Sequence, residues 1–288
     1  MTLHVNPFTS SGKEGIVYLV GTPIGNSSDL SLRAKEILTE ADIIACEDTR
    51  VTATLLSKVG IPFKKLVSCY SQKEAQEAKR LIEEVKLKNL TLAFVSDAGM
   101  PGISDPGALL IKEALDKGVL VSSIPGPTAF SHALVMSGFD TSDFSFFGFL
   151  PVKNSARERK LEELKEREET LIFYEAPHRL LEMLDSLEKV FGSDRNISLS
   201  RELTKIHEEY IYGTIKEVKE DPSLILKGEF VIVVQGFKKE DKIFSQEEVI
   251  KKAKILLKEG NKKSQVAKIL AVEYKVNKDT VYKLLNDL

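Results

Sequence analysis

The sequence predicts an α/β protein of two domains carrying a small C-terminal helical extension that resembles a helix-turn-helix. Three observations carry this expectation. Short apolar runs alternate with helix-period stretches from residue 16 to about 124. A second block, 144–236, is dominated by strand-like runs. Beyond a short charged link, residues 245–288 keep helical periodicity alone.

In chain order, residues 1–14 lack the apolar core of a signal peptide and read as a loose leader. The first domain is expected over 15–125. Its strands are IVYLV (16–20), DIIAC (42–46), LVSCY (66–70), LTLAFV (90–95) and VLVSSI (119–124). Helical spacing lies between them, as in Ala75, Ala78, Leu81, Ile82 and Val85, so the sheet should be largely parallel. The segment PGPTAF (125–130) breaks this rhythm and opens a second domain over 126–237. There FSFFGF (144–149), TLIFY (170–174), NISLS (196–200), EEYIYGT (208–214) and EFVIVVQG (229–236) imply a mixed sheet. A charged helix is expected over 155–169 and an amphipathic one around Leu180, Leu181, Leu184 and Leu187. In the extension, helix-turn-helix and plain capping bundle both remain open.

Composition narrows the function classes. The net charge of the 288 residues is −2, so any nucleic-acid contact must come from local patches. The extension supplies one such patch, with ten lysines against six acids. Two cysteines are too few for a disulfide framework and suit a reducing, cytoplasmic setting. No apolar run is long enough to span a membrane, and the four histidines have no metal-ligand spacing.

The chemistry-bearing loops follow strands. SDAGMPGISDPG (96–107) holds three glycines, two prolines and two aspartates at the carboxyl end of a strand, where open α/β sheets bind ligands. Within it Asp97 is the ligand-side acid, while Asp105 and Pro106 are expected to start the next helix. GTPIGNSSDLS (21–31) is glycine-rich, yet it matches neither G-x-G-x-x-G nor a P-loop, so a ligand here would not depend on a pyrophosphate grip. CEDTR (46–50) offers either an ion pair of Arg50 with Asp48 or Glu47, or a polar site. YEAPHR (174–179) brings an acid, a near-neutral titrating group and a planar cation within a few residues, or else a helix cap and surface pair. RELTKIHEEY (201–210) and LKGEF (226–230) place further polar residues at strand rims, as a cleft between two domains would require. The basic start of the 155–169 helix lies beside the aromatic FSFFGFLP and offers a possible RNA-facing patch, the alternative being an ordinary solvated face.

These loops, with IPGPTA and FGFLP and in this order, resemble the tetrapyrrole-methylase superfamily, and within it the bacterial 16S rRNA 2'-O-ribose cytidine methyltransferases. The resemblance covers nearly all of residues 15–236 and extends to the helical tail. It implies a non-Rossmann α/β/α methylase that binds S-adenosylmethionine between two domains, commonly as a homodimer, and acts on cytidine 1402 of 16S rRNA or of the small ribosomal subunit. By the same resemblance the cofactor would meet Pro23, Ile24, Asp97, Gly99, Met100, Ile103, Thr128 and Ala129. Tyr174, Leu203, Lys227, Gly228 and Glu229 would close the site from the second domain. The resemblance assigns no base. On chemistry alone the candidates for accepting a ribose proton are Glu47, Asp48, Glu175 and His178. Lys153, Arg157, Arg159, Arg179 and Lys205, with the tail lysines, are the candidates for RNA phosphates. A small-molecule tetrapyrrole methylase and a non-catalytic, cofactor-sensing DNA-binding regulator are the rival expectations.

Overall fold

The computed structural model of the chain describes residues 15–70, 72–238, 246–274 and 276–286; the expected leader over 1–14 and most of the charged link lie outside these. The first half alternates β1 (Ile16–Val20), α1 (Leu32–Glu40), β2 (Ile43–Cys46), α2 (Thr49–Lys58), β3 (Leu66–Ser68), α3 (Glu74–Lys88), β4 (Thr91–Val95), α4 (Ala108–Asp116) and β5 (Leu120–Ile124). Its sheet runs β3-β2-β4-β1-β5, with every pairing parallel. The continuous apolar runs have a simple cause. Ile43, Ala45, Leu92 and Phe94 pack into one core with Leu81 and Val85 of α3, while Ile44, Cys46, Ala93 and Val95 pack into another with Ala34 and Leu38 of α1. Helices cover both faces, so both side-chain registers must be apolar.

The second half contains α5 (Ala129–Met136), β6 (Phe144–Phe149), α6 (Asn154–Glu162), β7 (Thr170–Glu175), α7 (Leu180–Phe191), β8 (Asn196–Arg201), β9 (Glu209–Thr214), α8 (Ile215–Glu220) and β10 (Phe230–Val234). The order is β6-β7-β10-β8-β9, and only β6 and β7 run parallel. Phe173, Ile197, Leu199, Phe230 and Ile232 face the core under α6, α7 and α8. On the other face Ile172, Val231 and Val233 pack with Ala133 and Leu134 of α5, and Ile24 from the loop after β1 joins that cluster. Both sheets belong to one compact unit ending at Gly236.

The second half departs from the sequence reading in three elements. The helix α5 (Ala129–Met136) follows the proline break at once, where no helix was expected. The charged helix ends at Glu162 instead of running to 169. Leu161 and Leu164, three residues apart, are both fully buried, and a turn with Leu164 N–H donating to Leu161 O replaces the next helical turn. The short helix α8 was not expected. It is fixed by a capping box in which Thr214 Oγ1 accepts from Glu217 N–H and Glu217 Oε2 accepts from Thr214 N–H.

The second unit, taken by itself, comprises α9 (Gln246–Lys258), α10 (Lys263–Glu273) and α11 (Lys278–Asn286). Val249, Ala253, Val266, Ala267, Leu270, Val281 and Leu285 form its core. The sequence places the start of a helix near Asn277, and α11 begins at Lys278; three packed helices form the expected helical extension.

Candidate active-site cleft

Three loops leave the carboxyl ends of the adjacent strands β4, β1 and β5, the edge at which open α/β sheets bind ligands. They are tied by backbone. Thr22 N–H donates to Gly99 O at 2.9 Å and Gly99 N–H returns to Thr22 O at 3.1 Å. The loops after β1 and β5 cross at Gly21 and Gly126, where a Cβ on Gly21 would lie 2.6 Å from the Gly126 Cα. Only glycine fits at such an approach.

The loop after β4 corrects one expectation. Asp105 and Pro106 do not start α4, which begins at Ala108. The helix is capped from a distance: Glu74 Oε1, on α3 and buried, accepts the amides of Gly107 (2.8 Å), Leu109 (2.9 Å) and Leu110 (3.3 Å). Asp105 is thereby released to the cleft wall. Burial, followed by the nearby Asp97 charge, pushes its carboxyl up to about 6.

The cleft encloses about 260 Å³. Ile24, Gly99, Met100, Ile103, Ser104 and Asp105 line it from the first half, and Thr128 and Ala129 from the start of α5. Phe149, Tyr174, Glu175, Glu229 and Val231 line it from the second sheet. Eight of the thirteen residues expected at the cofactor are therefore on the wall: Ile24, Gly99, Met100, Ile103, Thr128, Ala129, Tyr174 and Glu229. The other five are not. Pro23 is buried, and Leu203 is buried in the same cluster as Ile24. Asp97 precedes the lining residue Ala98, and its Oδ1 accepts from Asp48 N–H at 3.1 Å. Lys227 and Gly228 precede the lining residue Glu229. Sequence reading missed Ser104, Asp105 as a wall residue, and Phe149. The last had a signal, an aromatic side chain next to the Leu-Pro that ends a strand.

The four base candidates separate clearly. Glu175 alone lines the cleft. Its side chain is fully buried; Oε1 accepts from Ala176 N–H at 2.9 Å and lies 3.4 Å from Arg179 Nε, while Oε2 has no hydrogen-bond partner. Burial raises its pKa above the ordinary carboxylate value despite the opposing Ala176 amide and Arg179. Asp48 is the N-cap of α2 and is paired bidentately with Arg50 at 3.1 and 2.6 Å, which holds it at about 2 and makes it a poor base. The ion-pair reading of CEDTR thus holds. Glu47 is half-buried outside the lining, its pKa raised by burial and then by Asp105, Asp97 and Asp48. His178 is exposed and also outside it. Tyr174, pushed up to about 12 chiefly by burial, keeps its proton; its hydroxyl accepts the Phe130 amide at 3.2 Å.

Three of the five arginines and lysines expected to face RNA have internal partners. Arg157 is fully buried, so its expectation is corrected: Nε donates to Ser186 Oγ, Nη2 to Asn154 Oδ1 and Glu182 O, and Nη1 to Val152 O. The physical reason is that Ser186 and the Glu182 carbonyl on α7 face α6 and need a donor. Arg179 Nη2 donates to Leu150 O at 3.0 Å. Lys205 bridges Glu202 (2.9 Å) and Glu229 (3.1 Å). Lys153 and Arg159 are exposed.

Such a fold, one parallel and one mixed five-stranded sheet with a glycine-built cleft lacking phosphate motifs, defines a methylase of the tetrapyrrole type. The family model for Tetrapyrrole (Corrin/Porphyrin) Methylases matches residues 16–219. Solved structures agree on the fold: the methyltransferase CobJ (TM-score 0.58, 16% identity, 77% of this chain and 95% of that one) and a uroporphyrin-III-C-methyltransferase from Thermus thermophilus (TM-score 0.55, 18% identity, 77% and 94%). Relatives called Ribosomal RNA small subunit methyltransferase I are closer in sequence. That of Halalkalibacterium halodurans is 46% identical over 77% of this chain and 76% of its own. That of Haemophilus influenzae is 40% identical over 93% and 95%, and that of Synechocystis is 40% identical over 95% and 98%. The chain belongs to the tetrapyrrole methylase family and, within it, to the ribosomal RNA small subunit methyltransferase I group.

Proposed function

We propose that the chain is an S-adenosylmethionine-dependent methyltransferase that modifies the 2'-hydroxyl of a cytidine ribose in 16S rRNA of the small ribosomal subunit. The observation that carries this reading is the 40% identity with the Haemophilus influenzae enzyme over 93% of this chain and 95% of that one.

The cleft suits that cofactor on three counts. Ile24, Met100, Ile103, Ala129 and Val231 give it apolar walls. Backbone is open at Gly99, where φ is 81° and a Cβ would sit 3.5 Å from Pro127 O. Asp105, Glu175 and Glu229 in the lining favour a cationic ligand. When bound, the cofactor supplies a methyl group already activated on a sulfonium sulfur.

What remains for the protein is alignment, exclusion of water and acceptance of one proton. The two sheets supply opposite walls of the cleft, so water is displaced from both sides. Tyr174 fixes the first turn of α5 through the Phe130 amide and thereby holds Thr128 and Ala129 against the ligand. Of the four acid and histidine candidates only Glu175 belongs to the cleft lining. Its carboxylate is fully buried behind the wall beside Arg179, its pKa is raised, and it is the group we assign to take the ribose proton, a base contributing roughly 10²–10⁴-fold.

We extend the reading to a cytoplasmic homodimer. Val135, Met136 and Tyr212 are exposed together, Tyr212 Oη donating to Met136 O, and would be covered in a dimer. The test of function is incubation with labelled S-adenosylmethionine and small subunits from cells lacking the activity. Label in 16S rRNA is expected, and none would sink the reading; label in a tetrapyrrole instead would establish the small-molecule rival.

A further inference from the structure

Phe149 is half-exposed, at 56%, yet it sits between two concavities. It lines the cleft just described and also a neighbouring groove of about 290 Å³, shared with Leu150, Pro151, Arg159 and Lys160. Its direction is not what strand alternation dictates. Phe146 pairs with Ile172 and Phe149 with Tyr174, so three steps on β6 match two on β7. The extra residue is accommodated around Gly148, at φ 61°. Without this bulge Phe149 would share the face of Phe147, which packs on the core beneath α7. With it, the ring turns to the Tyr174 face, at 5.6 Å from that ring.

The segment after Phe149 is pinned from below. Arg179 donates to the carbonyl of Leu150, with that of Pro151 at 3.5 Å, and Arg157 to that of Val152, so two inward-facing guanidiniums hold three successive carbonyls. Arg157 is fully buried and Arg179 partly so, with the Glu175 carboxylate 3.4 Å from Arg179 Nε, and the structural return on that burial is a fixed position for Phe149 and for Lys153 beyond it. Lys153 and Arg159 are exposed and form no ion pair among the described residues, whereas Lys160 is paired with Glu163. The groove is also lined by Glu163, which neutralises Lys160, so Arg159 is its unpaired cation and Lys153 lies outside its lining. An exposed aromatic ring at the mouth of a methyl-transfer cleft, with Arg159 in the adjoining groove and Lys153 nearby in the chain, matches an unstacked nucleotide with its flanking phosphates.

We propose that Phe149 is the platform on which the target base stacks, with Arg157 and Arg179 as positioning residues and Lys153 and Arg159 receiving the neighbouring phosphates. This inference rests on the RNA-methylation reading. It also reassigns the two buried arginines from contacting RNA to shaping the surface that does.

The test compares Phe149→Leu, which keeps apolar volume but removes the π-face, with Phe149→Trp, which keeps it. Transfer is measured on unmethylated small subunits, and S-adenosylmethionine affinity by calorimetry. The Leu variant should lose roughly 10- to 100-fold in kcat/KM while its cofactor Kd stays within about threefold, and the Trp variant should retain most of the wild-type rate. A Lys153→Ala, Arg159→Ala double variant should weaken subunit binding with a shallower salt dependence. The inference is overturned if Phe149→Leu transfers within twofold of wild type, if Trp fails as Leu does, or if the loss is matched in cofactor Kd, since Phe149 would then only wall the cofactor. If the wild-type protein itself transfers nothing to 16S rRNA, the functional reading falls first and this one with it.

Discussion

Glu175 and Asp105 both belong to the cleft lining, and both have carboxyl pKa values raised by burial, with opposite implications for function and stability. For Glu175 the shift brings a base closer to working pH. Activity should therefore fall as pH drops through a value above the ordinary carboxylate range. Glu175→Gln should remove that acidic limb and cut kcat by about 10²–10⁴, as read from pH–rate profiles. Asp105 carries a cost in the folded state. Its folded pKa of about 6 exceeds the ordinary 3.8, so the stability of the neutral form is fully present below 3.8 and is lost as pH rises through 6. Asp105→Asn should stabilise the free protein by on the order of 1 kcal/mol at pH 7.5, allowing for partial exposure, with the gain vanishing as pH falls toward 3.8 in urea titrations. Sequence alone could not assign these roles. Asp105 beside Pro106 carries the pattern of a helix start, and nothing local reveals that a glutamate thirty-odd residues earlier takes the cap. Arg157 and Arg159 belong to one charge run, and only the Ser186 hydroxyl and the Glu182 carbonyl waiting across the interface draw one of them inward.

Elements show which signals survive folding. All ten strands among the described residues fall where apolar runs predict them; the inner strands are covered by packed elements, and burial there demands just those residues. Helix ends were less legible. The T-x-x-E of Thr214 and Glu217 announces α8 on inspection, but the helix is only six residues long and hides between two strands. The bulge in β6 was not legible: FSFFGF reads as a plain strand, and only pairing with β7 shows the extra residue that re-aims Phe149. The cap on α4 is testable at this scale. Glu74→Ala leaves three amides without their acceptor and should cost on the order of 1–3 kcal/mol in urea unfolding. Glu74→Gln, keeping one carbonyl oxygen, should lose less. Since α4 anchors the end of the 96–107 loop, both should also weaken S-adenosylmethionine binding, in that order, by calorimetry.

At the scale of the molecule, the cleft is assembled from two sheets that meet no nearby partner in sequence. Ile24 follows the first strand, Tyr174 and Glu175 end the seventh, and Glu229 precedes the tenth. Individually YEAPHR or LKGEF says little. Their convergence on one wall gives them meaning: eight of the thirteen residues named by the resemblance of the whole set line a single cleft, whereas only two of the five cations named from charge are exposed. The central claim is that this cleft delivers a methyl group to a ribose hydroxyl of small-subunit rRNA. The most direct test is the mass and position of the nucleotide gained when unmethylated small subunits are incubated with the protein and S-adenosylmethionine. A single 2'-O-methylcytidine in 16S rRNA, absent with the Glu175→Gln protein under the same short incubation, is the expected product; a methyl group on a base, or none in the RNA, would contradict the account.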